Sequence, residues 1–321
     1  MSSKKKWGES FLKSGAPLEY LAFAKMESLG FETYQNVEYE RKITDGKSKV
    51  FSIDIQADKQ LKNGINLELL IECKYHDPSK LWMFIPFPYD YMRAGWCCDR
   101  HILNNGPIEF LRHPNKRNFI NLGQRASWNI VVSKDGVRQE NQIYEGISQL
   151  VYALFPLATF RLFHWNWMTL TYPLRGSILP ILVTNEELFL LKSNINDLNI
   201  IREANKPEEI ANTIPWLFCK VNQNFTTIDY NYSVLQKLLS YDKDIIIDFD
   251  KNIKIVRKIE KIELDCMETY INRPQWVIIV NINALDQMVH LIEDYISSLK
   301  LISKREMPKF KGKKIIEGKS N

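Results

Sequence analysis

Leu18, Leu21, Ala22, Met26 and Leu29 recur at three- and four-residue spacing, which predicts a helix over 17–29. Pro17 suits its first turn, Gly30 suits its C-terminal cap, and Glu19 lies near its start. The period then changes from 3.6 to 2. Residues 31–40 alternate and run toward Asp45-Gly46, a strong hairpin signal. In the next strand Phe51, Ile53, Ile55 and Ala57 face one way, and Ser52, Asp54, Gln56 and Asp58 the other. After a polar turn, residues 66–75 place Leu69, Ile71, Cys73 and Tyr75 on one face and Glu68, Leu70, Glu72 and Lys74 on the other. The expected unit is a helix followed by a β-meander.

Further along, Ile143, Ile147, Leu150, Val151 and Leu154 predict a helix over 141–154. A strand is expected at Ser177–Thr184, paired with Leu188–Lys192, and a helix near 230–240. QWVIIVN at 275–281 is apolar enough for a strand buried on both faces, and Leu285–Leu301 reads as an amphipathic helix. The expected fold class is α/β: a central mixed β-sheet flanked by helices and elaborated by insertions. Residues 1–303 are expected as one domain, with insertions at about 76–140 and 195–272, and 304–321 as a basic flexible tail. A two-lobed arrangement divided near residue 200 is the alternative.

Composition narrows the class. In 321 residues, 45% are hydrophobic and 25% charged, which excludes a disordered or collagenous chain and a disulfide scaffold. Five scattered cysteines without framework spacing point to reduced thiols and a cytoplasmic setting. MSSKKKWGES has no apolar core of a signal peptide after its lysines. The most apolar run, 150–168, is broken by Pro156, Arg161, His164 and Asn166, so no membrane partner is expected.

The net charge of +5 is unevenly spread. Residues 1–13 carry four lysines against one glutamate, and 304–321 carry seven basic residues against two acidic. Basic ends of this kind touch polyanions or simply aid solubility. Residues 79–138 are also basic, with nine Lys or Arg against four acids, and contain Trp82, Trp96 and Trp128. Within this stretch Arg112, Lys116, Arg117 and Arg125 are candidate phosphate contacts, with aromatics available for base stacking, unless those aromatics form a satellite core. By contrast 14–78 is acidic, with eleven acids against eight bases.

That acidic stretch carries the candidate chemistry. If the two strands pair, Asp54 and Glu72 become neighbours on one face. Paired carboxylates suit a hard cation, Mg²⁺ or Mn²⁺. Lys74, two residues after Glu72, shares its face and can orient a water or offset charge developing on a phosphoryl group. Glu19 would bring a further carboxylate from the preceding helix. Glu68 and Asp58 point the same way and read as solvated strand-face charges.

Together, Asp54 in one strand, Glu72-Cys73-Lys74 in the next and Glu19 on the helix before them resemble the PD-(D/E)xK nuclease superfamily, the restriction-endonuclease-like fold. Motif detail covers residues 11–75; element order alone extends to the 141–154 helix and the 177–184 strand. The resemblance implies a helix–strand–strand–strand–helix–strand core and Mg²⁺- or Mn²⁺-dependent hydrolysis of nucleic acid, DNA rather than RNA. It implies metal ligation by Asp54, Glu72 and the Cys73 carbonyl, and catalysis by Glu19, Asp54, Glu72 and Lys74. It also implies a glutamine on the following helix, for which Gln142 and Gln149 both qualify. Restriction, phage defence and repair fit as roles, with a helicase, ATPase or sensor partner in trans, and a homo-oligomer is compatible. The chain departs from the family in lacking a proline before Asp54.

E-x-K by itself is a weak signal, and it recurs at Glu317-Gly318-Lys319. Context raises the first occurrence above an ordinary polar hairpin face. A catalytically inactive subunit of the same fold, binding nucleic acid or serving assembly, is the alternative function. Adjacent Cys97 and Cys98 do not have structural zinc spacing, and His164 reads as a packed histidine. No glycine-rich phosphate loop and no G-x-S-x-G elbow occurs, against an ATP motor, a Rossmann dehydrogenase or an α/β-hydrolase.

Overall fold

The structure, a computed structural model, describes residues 3–42, 47–76, 80–87, 111–112, 122–133, 142–169, 176–221, 225–240, 244–249, 253–258, 271, 276–298, 300–301 and 313–315. Two helices come first, α1 (Ser3–Lys13) and α2 (Ala16–Ser28). Pro17 sits in the first turn of α2 as expected. Its end is closed by Gly30 at φ 79°, with Gly30 N–H donating to the Glu27 carbonyl and Phe31 N–H to the Met26 carbonyl. This is a Schellman closure, and the left-handed residue costs least as glycine.

The meander follows as β1 (Glu32–Lys42), β2 (Ser48–Gln60) and β3 (Asn66–Lys74), joined antiparallel. The Asp45-Gly46 turn lies outside the described residues. Seven further strands join the same sheet: β4 (Lys80–Pro86), β6 (Gln124–Ser133), β7 (Gly176–Thr184), β8 (Leu188–Leu191), β9 (Ala211–Ile214), β10 (Trp216–Lys220) and β13 (Trp276–Asn281). The ten run in the order β1-β2-β3-β7-β13-β10-β6-β4-β8-β9. A ribbon pairs β5 (Leu111–Arg112) with β14 (Lys300–Leu301), and β11 (Asp244–Phe249), β12 (Ile253–Lys258) and β15 (Lys313–Ile315) form a small separate sheet.

The sheet is mixed: β3, β7 and β13 are mutually parallel, whereas β2 is antiparallel to both its neighbours. Strands from 80–133 and 211–220 are threaded through this sheet, so polypeptide from both sides of residue 200 alternates in it. The 177–184 strand does not pair with the 188–192 run as expected. Both edges of β7 are taken, by β3 and β13, and β8 instead pairs with β4 and β9. The three-residue link between them is no hairpin. Asn185 within it is tied to the end of β3, accepting from His76 N–H (2.7 Å) and donating to the His76 carbonyl (3.0 Å).

Three longer helices follow: α3 (Gln142–Thr169), α4 (Phe225–Ser240) and α5 (Leu285–Ser298). α3 outruns its expected end by passing through Pro156. A proline removes one helical hydrogen bond, and the burial of Leu154, Phe155 and Ala158 around it outweighs that loss.

Helices cover both faces of the sheet. Leu69, Ile71, Ile181, Val183, Ile278 and Val280 pack in one core cluster with Leu18 and Met26 of α2 and Met288 and Ile292 of α5. Leu70, Leu182, Val277 and Ile279, at alternate positions of the same strands, pack in a second with Ile147, Leu150 and Leu154 of α3. Period-2 alternation therefore sorts side chains between two cores, not between core and water. No helix among the described residues is long and apolar enough to cross a membrane.

Candidate active site

Hydrogen-bonded pairing between β2 and β3 runs from Gln60↔Asn66 to Ile55↔Ile71 and ends there. The β1–β2 ladder is interrupted at the same level, opposite Asp54, where Asn36 adopts a φ of 52°. With the backbones parted, Cys73 N–H donates to Asp54 Oδ2 at 2.7 Å. A carboxylate thus takes the place of a ladder carbonyl and is anchored beside the E-x-K residues.

Glu72 is 1% exposed, and Lys74 Nζ donates to its Oε1 at 2.8 Å. Glu72 Oε2 is buried with no hydrogen-bond partner. Asp54 and Glu19 are partly buried. Asp54 and Lys74 each interact electrostatically with both Glu19 and Glu72. Burial pushes the Glu72 carboxyl up to about 7, the Asp54 charge adds to this, and Lys74 and the Asp54 amide oppose it. Asp54 is also raised, by burial first, with the Cys73 N–H and Lys74 holding it down. Glu19 is raised by burial and then by Asp54, with Lys74 opposing. The Cys73 thiol is pushed well above its ordinary value by burial and the surrounding carboxylates, so it stays neutral. Its side chain belongs to the opposite core, with Ile71 and Val183.

The fit to a hard cation rests on oxygen chemistry. An orphaned, buried carboxylate oxygen of Glu72 lies beside a second carboxylate, and Mg²⁺ is held by one or two carboxylates with water completing its shell. Among the described residues, no group of three or more His, Cys, Asp or Glu side chains is arranged to hold a metal ion.

Sequence reasoning missed Gly146. A Cβ built on this α3 residue would lie 2.5 Å from Leu182 Cδ1 and 3.2 Å from Lys74 Cγ. Only hydrogen lets the helix approach β3 this closely, and the approach confines the stem of Lys74. Gln142 and Gln149 fall one turn on either side of Gly146. The Gln142 side chain lies outside the described residues, and the Gln149 carbonyl accepts from Tyr39 Oη at 3.2 Å. Tyr39 is buried, and burial and the nearby Tyr230 and Glu72 raise its phenol well above the usual range. Neither Gly146 nor Tyr39 has a motif that would single it out.

Glu68 corrects the expectation of a solvated charge: it is 1% exposed. Gln56 Nε2 donates to Glu68 Oε1 at 2.8 Å and to Asp58 Oδ2 at 3.4 Å. This stretch of the face lines a cavity of about 1320 Å³ with Glu38, Tyr39, Pro156 and Tyr230, and Asp54 and Glu72 are not among its walls.

The proposed phosphate contacts are not gathered among the described residues. Arg125 is partly buried on β6, four strands from β3 in the sheet order. Arg112 lies in β5, its side chain outside the described residues, as are Lys116 and Arg117 entirely. β4, the first strand after the E-x-K strand, lies five strands from β3 in the sheet order, yet its Trp82 returns to the end of β3. Trp82 is fully buried and packs on His76 at a 5.3 Å ring separation, so it is not available for stacking on a base. Trp96, Cys97, Cys98 and Cys266, and the side chains of Trp128 and His164, lie outside the described residues.

Comparison with family models found no match to the chain, and comparisons with curated proteins and solved structures found none either.

Proposed function

We propose that this chain is a metal-dependent nuclease that hydrolyses phosphodiester bonds, in DNA rather than RNA, on a restriction-endonuclease-like core. The observation that carries the reading is the junction of β2 and β3. There Asp54 accepts from Cys73 N–H at 2.7 Å while the adjoining Glu72 holds Lys74 at 2.8 Å. The element order α2-β1-β2-β3, then α3 and β7 beside β3, supports the same reading.

Asp54 and Glu72 would hold Mg²⁺ or Mn²⁺, which when bound supplies Lewis acidity toward a phosphoryl oxygen and a lowered water pKa. The chain's own residues do the rest. The Cys73 amide fixes the Asp54 carboxylate by one oxygen, Oδ2. Burial makes Glu72 costly to ionise alone, so its charge is stabilised when a cation is near. Lys74, one-fifth exposed, places a proton donor at the rim, where it can orient water and balance charge building on the phosphoryl oxygens. Glu19 adds a third negative group facing Asp54 and Lys74, suited to accepting a hydrogen bond from water. Restriction, phage defence and repair are the roles this chemistry serves.

The test is plasmid cleavage by the purified full chain with Mg²⁺ or Mn²⁺. Asp54→Ala and Lys74→Ala should each reduce cutting at least a hundredfold with folding intact by circular dichroism. Undiminished cutting by either variant sinks the assignment. A second reading, an inactive nucleic-acid-binding or assembly subunit of the same fold, is favoured by the absence, among the described residues, of three or more His, Cys, Asp or Glu side chains arranged to hold a metal ion. It predicts metal binding by calorimetry without any cleavage.

A further inference from the structure

The first helix of the chain leaves its large apolar side chains in water. Trp7 is 69% exposed and Phe11 57%, with Leu12 also exposed. Trp7 and Phe11 are four residues apart and so share one side of α1. The same helix contains Lys4, Lys5, Lys6 and Lys13 against the single acid Glu9. A helix with this much exposed aromatic surface normally buries it against its own protein. The main packing partner of α1 among the described elements is α2, and the contact is light.

The position of α1 ties it to the catalytic pair. Only Ser14 and Gly15 separate it from α2, whose first turn carries Glu19. Gly15 adopts a left-handed φ of 81°, its carbonyl accepts from Leu18 and Glu19 N–H, and a Cβ built on it would lie 3.4 Å from Glu19 Oε1. The turn that directs α1 is therefore the turn against which the site glutamate folds. Tyr20, next to Glu19, is 68% exposed. Glu19, Asp54 and Glu72 gather acidic groups at the site, and the four lysines in the α1 sequence put basic charge on the helix that leads into Glu19.

We propose that α1 is a docking surface for single-stranded nucleic acid at the mouth of the Asp54–Glu72 site, with Trp7 and Phe11 stacking on unpaired bases and the α1 lysines contacting phosphates. This rests on the nuclease reading for its purpose, not for its existence. Exposed aromatics among basic residues are how proteins hold unpaired strands, because every base has a π-face whatever its sequence. At ~1.5 Å per residue α1 is about 16 Å long, the axial length of roughly five nucleotides in a strand. Duplex DNA keeps its bases stacked on one another, so the aromatic contribution should be confined to single strands, gaps, flaps or frayed ends.

The experiment uses the full chain carrying Asp54→Asn, without divalent metal, and fluorescence anisotropy with a labelled 20-nucleotide oligo-dT and a 20-base-pair duplex. A Trp7→Ala/Phe11→Ala variant should bind oligo-dT about tenfold more weakly, bind duplex nearly unchanged, and keep its salt slope. The rescue variant Trp7→Phe/Phe11→Tyr should restore most of the affinity, which separates stacking from any loss of fold. Converting Lys4, Lys5 and Lys6 to Gln should lower the slope of log K against log salt by about 2, at ~0.7 per phosphate on a single strand. Unchanged oligo-dT affinity in the double alanine variant overturns the proposal. So does an equal loss on duplex, a Trp7 emission shift on anionic vesicles with no shift on oligo-dT, or conversion of a dimer to a monomer with nucleic-acid affinity unaffected. Because binding is read without metal or turnover, α1 binding can hold while plasmid cleavage fails, and cleavage can hold while α1 binding fails.

Discussion

Glu72 stores the clearest chemical signature of the site. Its carboxyl titrates at about 7 in the folded chain, against 4.5 for an ordinary glutamate, because burial and Asp54 oppose its charge. The folded state therefore holds an extra proton between those two values. The stabilisation that follows is complete below about pH 4.5 and is lost as pH rises through about 7, an effect of roughly 3 kcal/mol. Asp54 and Glu19 are raised as well and act in the same direction. In metal-free buffer, urea denaturation should show stability falling from pH 5 to pH 8. Glu72→Gln, which cannot ionise, should be the more stable protein at pH 8 and show a shallower slope. A slope identical to wild type would remove Glu72 from this account.

At the scale of elements, two devices build the site. One is the parting of β2 from β3 after Ile55↔Ile71, which lets Asp54 take the Cys73 N–H. The other is the close approach of α3 to β3 at Gly146, where a methyl group would meet Leu182 Cδ1 at 2.5 Å. Gly146→Ala should push α3 off the sheet or displace the stem of Lys74. We expect at least a tenfold loss of cleavage and a lower melting temperature, with the Leu182→Ala background restoring part of the activity by making room for the methyl. Wild-type cleavage in the single variant would show that Lys74 does not depend on that contact. A third element-scale effect is purely structural. Gly30→Ala places a side chain at φ 79° in the closure of α2 and should cost about 1 kcal/mol, read by urea denaturation.

For the whole molecule, helices on both faces bury the ten-stranded sheet, and this burial gives carboxylates on its strands their unusual environment. Glu68 shows the same effect away from the site: a strand charge that pattern alone would leave in water is covered and held by Gln56. Metal should act on the molecule by mass action. If Asp54 and Glu72 hold Mg²⁺ only in the folded state, ten times the dissociation constant adds about 1.4 kcal/mol. Protons compete for the same oxygens, so thermal melts should rise with Mg²⁺ at pH 8 and much less at pH 5.5, and Asp54→Ala should not respond. A Mg²⁺ response that is equal at both pH values would place binding elsewhere.

Local pattern alone determined the helix over 17–29, the three strands of the meander and the buried strand expected at 275–281, because each depends on periodicity and turn chemistry within a few residues; it did not foresee the break in β2 at Asp54, where Ile53 joins the core under α3 and Ile55 and Ala57 the core under α2. It also singled out Glu19, Asp54, Glu72 and Lys74 as a group, since three of the four share a meander whose strands are neighbours in the chain. Only the tertiary structure decided the rest. That β8 joins β4 and not β7, that β4 lies five strands from β3, that Glu68 is buried and that Gly146 abuts Lys74 all depend on contacts between residues distant in sequence. Alternation says that two faces exist but not what covers them. Here both are covered by helices, so polar positions assigned to water on pattern alone came to lie in a low-dielectric interior, where a carboxylate is stable only with a donor, a proton or a cation beside it.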